Sequence, residues 1–375
     1  MDLVIAHPFL RMMGGGERCV LEIAKKYNPI IYTAFYEPEN TFPEFKEFDI
    51  RILPRSRLEI PFTWLKGDKR RFGAVSAAFR YFFTKLKDDY DVLNCQGCPS
   101  EFLANRNERV CWYIHSPNRE AFDLRDYRLS QMSLPTKIVS LSLTEVYKAV
   151  EFSVLPKIKY LATNSSVTNE RIKKYFKRFD AEIINPAVDV HKFKCSSYDK
   201  YFLYPSRIVP EKRFEFVINA FRMFYQRNKK FKLVIAGFAL NHEYLSKLRK
   251  LSEGLPVLFM TTLTDEQLVE VYSNCYATLF SAMNEDFGLI PLESMASSKP
   301  CISIKEGGVC ETIIDNETGY LVENEGEMAE KMFYLAGNPN IVEEMGKKGR
   351  NRVEENYTWD TFHKKLRNKF EEVCK

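Results

Sequence analysis

Short β-branched runs alternate with longer amphipathic segments from one end of this chain to the other, and that alternation leaves few architectures open. Parallel strands need a crossover of a dozen or more residues between them, usually a helix, so the pattern predicts parallel sheets wound with helices. In the first half the strand candidates are Leu3 to Ala6, Ile30 to Ala34, Asp49 to Leu53, Asp91 to Asn94, Val110 to Ile114 and Tyr160 to Thr163. In the second they are Tyr201 to Pro205, Lys232 to Ala236, Val257 to Met260, Ala277 to Phe280, Cys301 to Ile304 and Tyr320 to Val322. At 375 residues the chain is longer than the roughly 250–300 at which one core stops growing. Two doubly wound α/β domains follow. The helix-breaking Pro186 in Asn185-Pro186-Ala187-Val188-Asp189 marks the linker, giving domains 1–187 and 188–356. In the tail, 357–375, Trp359, Phe362, Leu366 and Phe370 recur at helical spacing.

Composition narrows the setting. The chain is 45% hydrophobic and 28% charged, as in soluble globular proteins, and no stretch approaches the roughly 18 apolar residues of a spanning helix. Met-Asp-Leu-Val-Ile-Ala-His lacks the basic start of a signal peptide and reads as a first strand. Nine scattered cysteines, an odd number, suggest free thiols in a reducing cytoplasm. Cys95 and Cys98 are the close pair; without a second pair or a histidine at ligand spacing they read as buried strand-end thiols rather than a zinc site.

The chemically distinctive residues fall just after strands. His7, His115, Arg207, Gly237 and Glu285 each follow a predicted strand, and ligands of open α/β sheets bind beyond the carboxyl ends of strands. In Ser206-Arg207-Ile208-Val209-Pro210-Glu211-Lys212-Arg213, cations crowd the start of a helix beginning near Phe214. They oppose the helix dipole unless an anion lies between them and the backbone amides, and a pyrophosphate would be that anion; a solvated basic turn is the plain alternative. In Asn284-Glu285-Asp286-Phe287-Gly288-Leu289-Ile290-Pro291-Leu292-Glu293, Gly288 permits close backbone approach and Pro291 suits a first helical turn. The unpaired amides of that turn can hold hydroxyls or phosphate, and Glu293 can accept from both ribose hydroxyls. Gly14 to Gly16 depart from G-x-G-x-x-G, which argues against a nicotinamide oxidoreductase.

Several segments together resemble glycosyltransferase family four. They are Ser206-Arg207 with Glu211-Lys212, Glu285 and Glu293 around Phe287-Gly288, Gly307-Gly308-Val309 followed by Glu311, and Thr318-Gly319-Tyr320-Leu321-Val322. The resemblance is specific from about Phe202 to Glu323; earlier, Gly14-Gly15-Gly16-Glu17 resembles the family's glycine-rich loop and His115-Ser116-Pro117-Asn118-Arg119 a motif of its mannosyltransferases. It implies the GT-B fold, two facing Rossmann-like domains with the ligand cleft between them, and transfer that retains anomeric configuration without a metal or other cofactor. Arg207 and Lys212 would bind the donor pyrophosphate and Glu293 the ribose. Glu285 with the amides of Asp286, Phe287, Gly288 and Leu289 would hold the transferred sugar. Backbone at Gly15 and Gly16 would close over the phosphates, His115 would lie near the reacting carbon, and His7 would act through its neighbours. The departing phosphate itself would take the acceptor's proton. The tail helix would cross back to the N-terminal domain.

The implied donor is GDP-mannose, with a UDP-hexose second, although Glu120 stands where the related mannosyltransferases commonly carry an aromatic. The implied acceptor is a glycan or a lipid-linked molecule. Asp89-Tyr90-Asp91, which would bind a divalent metal in the other major glycosyltransferase fold, precedes its strand and so falls at the wrong end. From Arg55 to Lys87 there are nine Lys or Arg against two acidic residues, interleaved with aromatics. Such a stretch suits an anionic membrane surface and peripheral attachment on the cytoplasmic face; helices packing their aromatic side on a sheet are the alternative. Two other readings stay open, a sugar-nucleotide epimerase of the same architecture and a non-catalytic basic module for membrane or nucleic acid, although no nucleic-acid partner is expected.

Overall fold

A computed structural model describes residues 1–55, 69–239 and 241–375. The chain forms two compact units, one of residues 1–184 with 363–375, the other of residues 185–362.

The first unit contains strands β1 (Leu3–Ala6), β2 (Phe9–Leu10), β3 (Ile30–Thr33), β4 (Phe35–Tyr36), β5 (Ile50–Ile52), β6 (Val92–Gln96), β7 (Val110–Ile114), β8 (Tyr160–Thr163) and β9 (Glu182–Ile183). Seven of these form one sheet in the order β5-β3-β1-β6-β7-β8-β9, and β2 pairs with β4 separately. Every pairing is parallel; Val4 lies opposite Ile30 on one side and Leu93 on the other. β6 and β7 are buried at every position, as expected where helices cover both faces of a sheet. The helix Gly15–Tyr27 buries Cys19, Val20, Leu21, Ile23 and Ala24 and ends at Asn28, whose left-handed φ of 46° turns its amide back to the Ala24 carbonyl. Ser165 opens the helix Ser166–Phe176 by accepting the Thr168 amide.

The second unit contains β10 (Tyr201–Pro205), β11 (Lys232–Ala236), β12 (Val257–Met260), β13 (Ala277–Phe280), β14 (Cys301–Ile304) and β15 (Gly319–Val322). They form one parallel sheet in the order β12-β11-β10-β13-β14-β15. Counting strands within each large sheet, both begin 3-2-1-4-5-6, the order of dinucleotide-binding domains. Phe202 packs on Phe224 and Phe231 at ring-centroid distances of 5.3 and 5.2 Å, and with Phe214 and Phe221 these rings fill the space under the helix Phe214–Arg227.

Eight of the twelve expected strands have the bounds read from the sequence, and the other four, Ile30–Thr33, Ile50–Ile52, Val92–Gln96 and Gly319–Val322, differ by one or two residues at one or both ends. The short pieces β2, β4 and β9 have no periodicity to reveal them. The units divide at 184/185 and 362/363, where the sequence reading drew 187/188 and 356/357. Much of the basic stretch from Arg55 to Lys87 lies outside the described residues. Within its described part, Arg80 is buried, donates to the Ala34 carbonyl at 2.6 Å and lies over the Phe35 ring, so one of those cations is structural.

The helix Trp359–Val373 buries Phe362, Leu366, Phe370 and Val373 along one stripe. In the first unit Phe370 meets the Tyr27 ring edge-on at 6.0 Å, and Lys369 pairs with Glu182 at 3.1 Å. Replacing a fully buried phenylalanine removes its transfer free energy and leaves a cavity, so Phe370→Ala should destabilise the first unit by about 3–5 kcal/mol. Urea denaturation followed by hydrogen exchange of the β1 and β7 amides measures this; a loss below about 1 kcal/mol would show the tail to be dispensable to that core.

Candidate functional site

In the second unit the strand order reverses between β10 and β13, which carries the segments after both strands to one edge of the sheet. Gly237, after β11, has φ +149° and lies so close to the Ser206 main chain that a Cβ would stand 2.0 Å from the Ser206 oxygen. The segment leaving β10 is thereby pressed against its neighbour and carries Arg207, exposed, just beyond the sheet. A tight turn, Pro210–Lys212, follows, and Arg213 adopts left-handed backbone with φ 50°.

The two basic residues of that turn have different fates. Arg213 donates to the Ser281 and Ala282 carbonyls at 2.7 and 3.1 Å and to Glu306 Oε2 at 2.7 Å, fastening the turn to the end of β13. Ser281 Oγ reaches the Lys212 and Arg213 carbonyls at 2.9 Å, and the Tyr204 hydroxyl also donates to the Lys212 carbonyl. With its backbone fixed, Lys212 points its ammonium at Glu285, Nζ to Oε2 2.6 Å, above the Phe280 ring.

Glu285 is held by its own main chain. Gly308 donates its amide to the Glu285 carbonyl at 2.7 Å, and Gly307, at φ +76°, approaches so closely that a Cβ would stand 2.5 Å from that oxygen. The chain then passes Asp286 and the buried Phe287 to Gly288, whose φ of +102° opens the helix Leu289–Ala296. First-turn amides have no acceptor within their own helix, so a turn beginning at Leu289 presents donors and positive potential to an anion or a sugar hydroxyl. One turn on, Glu293 Oε2 accepts from the Tyr272 hydroxyl at 2.7 Å. Burial, and then the Glu293 charge, push the Tyr272 phenol well above its usual range, so it stays a donor and fixes the orientation of that carboxylate. Arg207, Lys212, Glu285, Asp286, Phe287, Gly288, Leu289 and Glu293 thus lie on segments leaving β10 and β13 and on the helix that follows. Tyr272 and Arg213 were not singled out in the sequence; a lone buried tyrosine 21 residues before Glu293 carries no local signal.

The first unit has a parallel arrangement at its own reversal, between β1 and β6. His7 follows β1 and donates from Nδ1 to the Gln96 carbonyl at 2.9 Å, while its Nε2 lies 3.7 Å from Glu17 Oε1. Gln96 donates from Nε2 to Asn94 at 2.8 Å, which turns its Oε1 to accept from His115 Nε2 at 3.0 Å. The His115 carbonyl in turn accepts from Asn164 at 2.8 Å. Gly15 and Gly16 open the helix Gly15–Tyr27, and a Cβ on Gly16 would stand 3.7 Å from His7 and 3.9 Å from His115. Both histidines and the helix start therefore converge.

In the rest of the histidine motif, Asn118 Oδ1 accepts the Glu120 amide at 3.1 Å, and Arg119 pairs with Asp123 at 2.9 Å. Asp91 sits at the opposite end of β6, where its carboxylate accepts the Asp2 amide at 2.7 Å.

Residues 190–352 match the family described as glycosyl transferases group 1. The chain is similar to the human alpha-1,3/1,6-mannosyltransferase ALG2, 26% identical over 97% of this chain and 94% of that one. It also resembles the trehalose synthase of Pyrococcus horikoshii, 33% identical but over only 40% of this chain and 39% of the other. Among solved structures it resembles Anabaena HepE, solved in complex with UDP, with a TM-score of 0.77 at 15% identity over 99% of this chain and 100% of that one. The sucrose-phosphate synthase of Thermosynechococcus elongatus gives 0.78 at 16% identity over 100% and 99%. The architecture is that of the GT-B glycosyltransferases.

Burial, and then the neighbouring His7, hold His115 down to about 3, so its imidazole is neutral at pH 7. An unfolded histidine takes up its proton near 6.5, and the folded one does not until about 3. The neutral site is therefore at no disadvantage above about pH 6.5, and stability falls as the pH drops, by up to about 1.4 kcal/mol per unit. His115→Gln should flatten the stability curve between about pH 6 and pH 4 in urea titrations; an unchanged acid limb would contradict the assignment.

Proposed function

We propose that this chain, whose residues 190–352 match the glycosyl transferases of group 1, is a retaining, metal-independent mannosyltransferase using GDP-mannose. The observation that carries the donor half is the Lys212 ammonium, held at the strand-order reversal 2.6 Å from Glu285, which itself lies just before the amides that open at Gly288. The choice of mannose rests on the likeness to alpha-1,3/1,6-mannosyltransferases over nearly the whole chain, and nothing comparable favours the epimerase reading.

In the proposed reaction Lys212 and Arg207 take the donor pyrophosphate, and the amides from Asp286 to Leu289 complete its cradle. Glu293, oriented by Tyr272, takes the ribose hydroxyls. Glu285 gives up Lys212 to the phosphate and turns to the transferred sugar. The acceptor hydroxyl attacks from the face that the nucleotide leaves, and the departing phosphate oxygen removes its proton. Charge developing on that phosphate is stabilised by fixed cations and amides instead of magnesium. His115, neutral, contributes a polar edge near the sugar and no charge of its own.

A charge contact in such a site typically contributes several kcal/mol at the transition state, or roughly a hundredfold in rate. Lys212→Ala and Glu293→Gln should each lower kcat/KM for GDP-mannose at least about 100-fold in folded protein, and wild-type turnover should not change with added Mg²⁺ or Mn²⁺. Near-normal turnover of either variant, turnover with a UDP-hexose alone, or loss to a chelator reversed by Mg²⁺ or Mn²⁺ would each overturn the corresponding part.

We further propose a lipid-linked acceptor, reached from an anionic membrane surface through the basic stretch Arg55 to Lys87. Each cation near such a surface adds about 1 kcal/mol, so the excess sustains reversible attachment with Arg80 set aside. No helix among the described residues is long and apolar enough to cross a membrane. The protein should co-sediment with anionic vesicles at low salt and be released at about 1 M salt, where the screening length falls to roughly 3 Å. The variant with Lys66, Lys69, Arg70 and Arg71 changed to Gln should bind less. Equal binding by that variant would return the stretch to an ordinary solvated face.

A further inference from the structure

Away from the residues already assigned, the first unit buries two carboxylates beside a thiol. Glu101 lies on the short turn Ser100–Asn105 after β6, and Glu151 on the last turn of the long helix Leu134–Val154. Both are fully buried. Each offers a carboxylate oxygen within 4.8 Å of the other's and of Cys98 Sγ, the one such cluster among the described residues. Neither Glu151 oxygen has a hydrogen-bond partner, nor does Glu101 Oε2. Glu101 Oε1 accepts from the Tyr147 hydroxyl at 3.0 Å.

Buried carboxylates without partners are costly to keep ionised, and a fold resolves this with protons or with a cation. Two features favour the cation. The third member is a cysteine, whose thiolate is a soft ligand that contributes little to a hydrogen-bonded acid pair, whereas thiolate with carboxylate oxygens is a donor set for zinc. Tyr147 already orients one carboxylate from behind, as the outer partners of metal ligands do.

We propose that Cys98, Glu101 and Glu151 form a site for one divalent transition-metal ion of the zinc class, with water in the fourth position. Donor atoms around a tetrahedral zinc stand about 3.5 Å apart, so side-chain rotation alone draws the three together. Cys98 is partly exposed and gives the ion its way in. Thiolate and two carboxylates carry three negative charges against two on the ion; Lys148, which pairs with Glu145 at 3.5 Å, lies on the same helix as Glu151. Binding releases the protons these groups hold to solvent, so affinity rises with pH. The ion would clamp the helix Leu134–Val154 to the loop after β6. Because Cys98 Sγ also donates to the Ser116 carbonyl at 3.5 Å, the clamp borders the segment that carries His115.

The test uses the full chain with the exposed Cys195, Cys310 and Cys374 changed to Ser. After chelator treatment it is titrated with Co²⁺. The expected result is one Co²⁺ per chain with a thiolate-to-cobalt charge-transfer band, displaced by Zn²⁺. Cys98→Ser should abolish the band, and Glu151→Gln should weaken binding at least about 10-fold. Absence of the band and of stoichiometric metal in the parent protein overturns the proposal whether or not those variants fold. None of these readouts involves sugar transfer, so the proposed reaction and this site stand or fall separately.

Discussion

Every strand in the two large sheets runs parallel to its neighbours, and most of what is described above depends on that constraint. A parallel sheet sends all its strand ends, and hence the starts of its connecting segments, out at one edge. Where the order reverses, two neighbouring segments leave in opposite directions around the sheet and open a space between them. Arg207 and Glu285 come from such a pair, as do His7 and Gln96. Their positions are set by backbone pairing, which tolerates wide variation in the side chains of the core. The fold can therefore be shared at 15% identity.

Much of this was legible in the sequence because it is local. The strands from Tyr201 to Pro205 and Lys232 to Ala236 announce themselves by apolar runs of the right length, and Gly288 and Gly307 stand where only glycine takes the required backbone. The unread features are pairings between distant segments. Tyr272 meets Glu293, Arg213 meets Glu306 from 93 residues away, and Gln96 links His7 to His115. The neighbour of Cys98 in sequence is Cys95, but its neighbours in space are glutamates, and Glu151 is brought to it only by the packing of a long helix. The basic stretch was read from composition, which could not reveal that Arg80 turns inward.

Charge is also distributed more finely than a count suggests. Of the adjacent Lys212 and Arg213, one is presented to a carboxylate above an aromatic ring, and the other is consumed in tying a turn to the next strand. Guanidinium suits the second task because its fork satisfies two carbonyls and a carboxylate at once, and a lysine there would leave acceptors unmet. His115 is kept neutral by burial and by a second histidine, so polarity is supplied to that region without positive charge.

If Lys212 takes the donor phosphate as proposed, its contact with Glu285 is an internal competitor for that phosphate. An incoming phosphate would have to displace an internal carboxylate before claiming the ammonium, and the same carboxylate would stand ready to reclaim it once the reaction is over. Tight hold on a dianionic product is a common way for a transferase to stall, and a resident anion shortens that hold. In the proposed reaction Glu285 would set the pace at which spent nucleotide departs as well as touching the sugar, and a substitution there would trade initial capture against turnover.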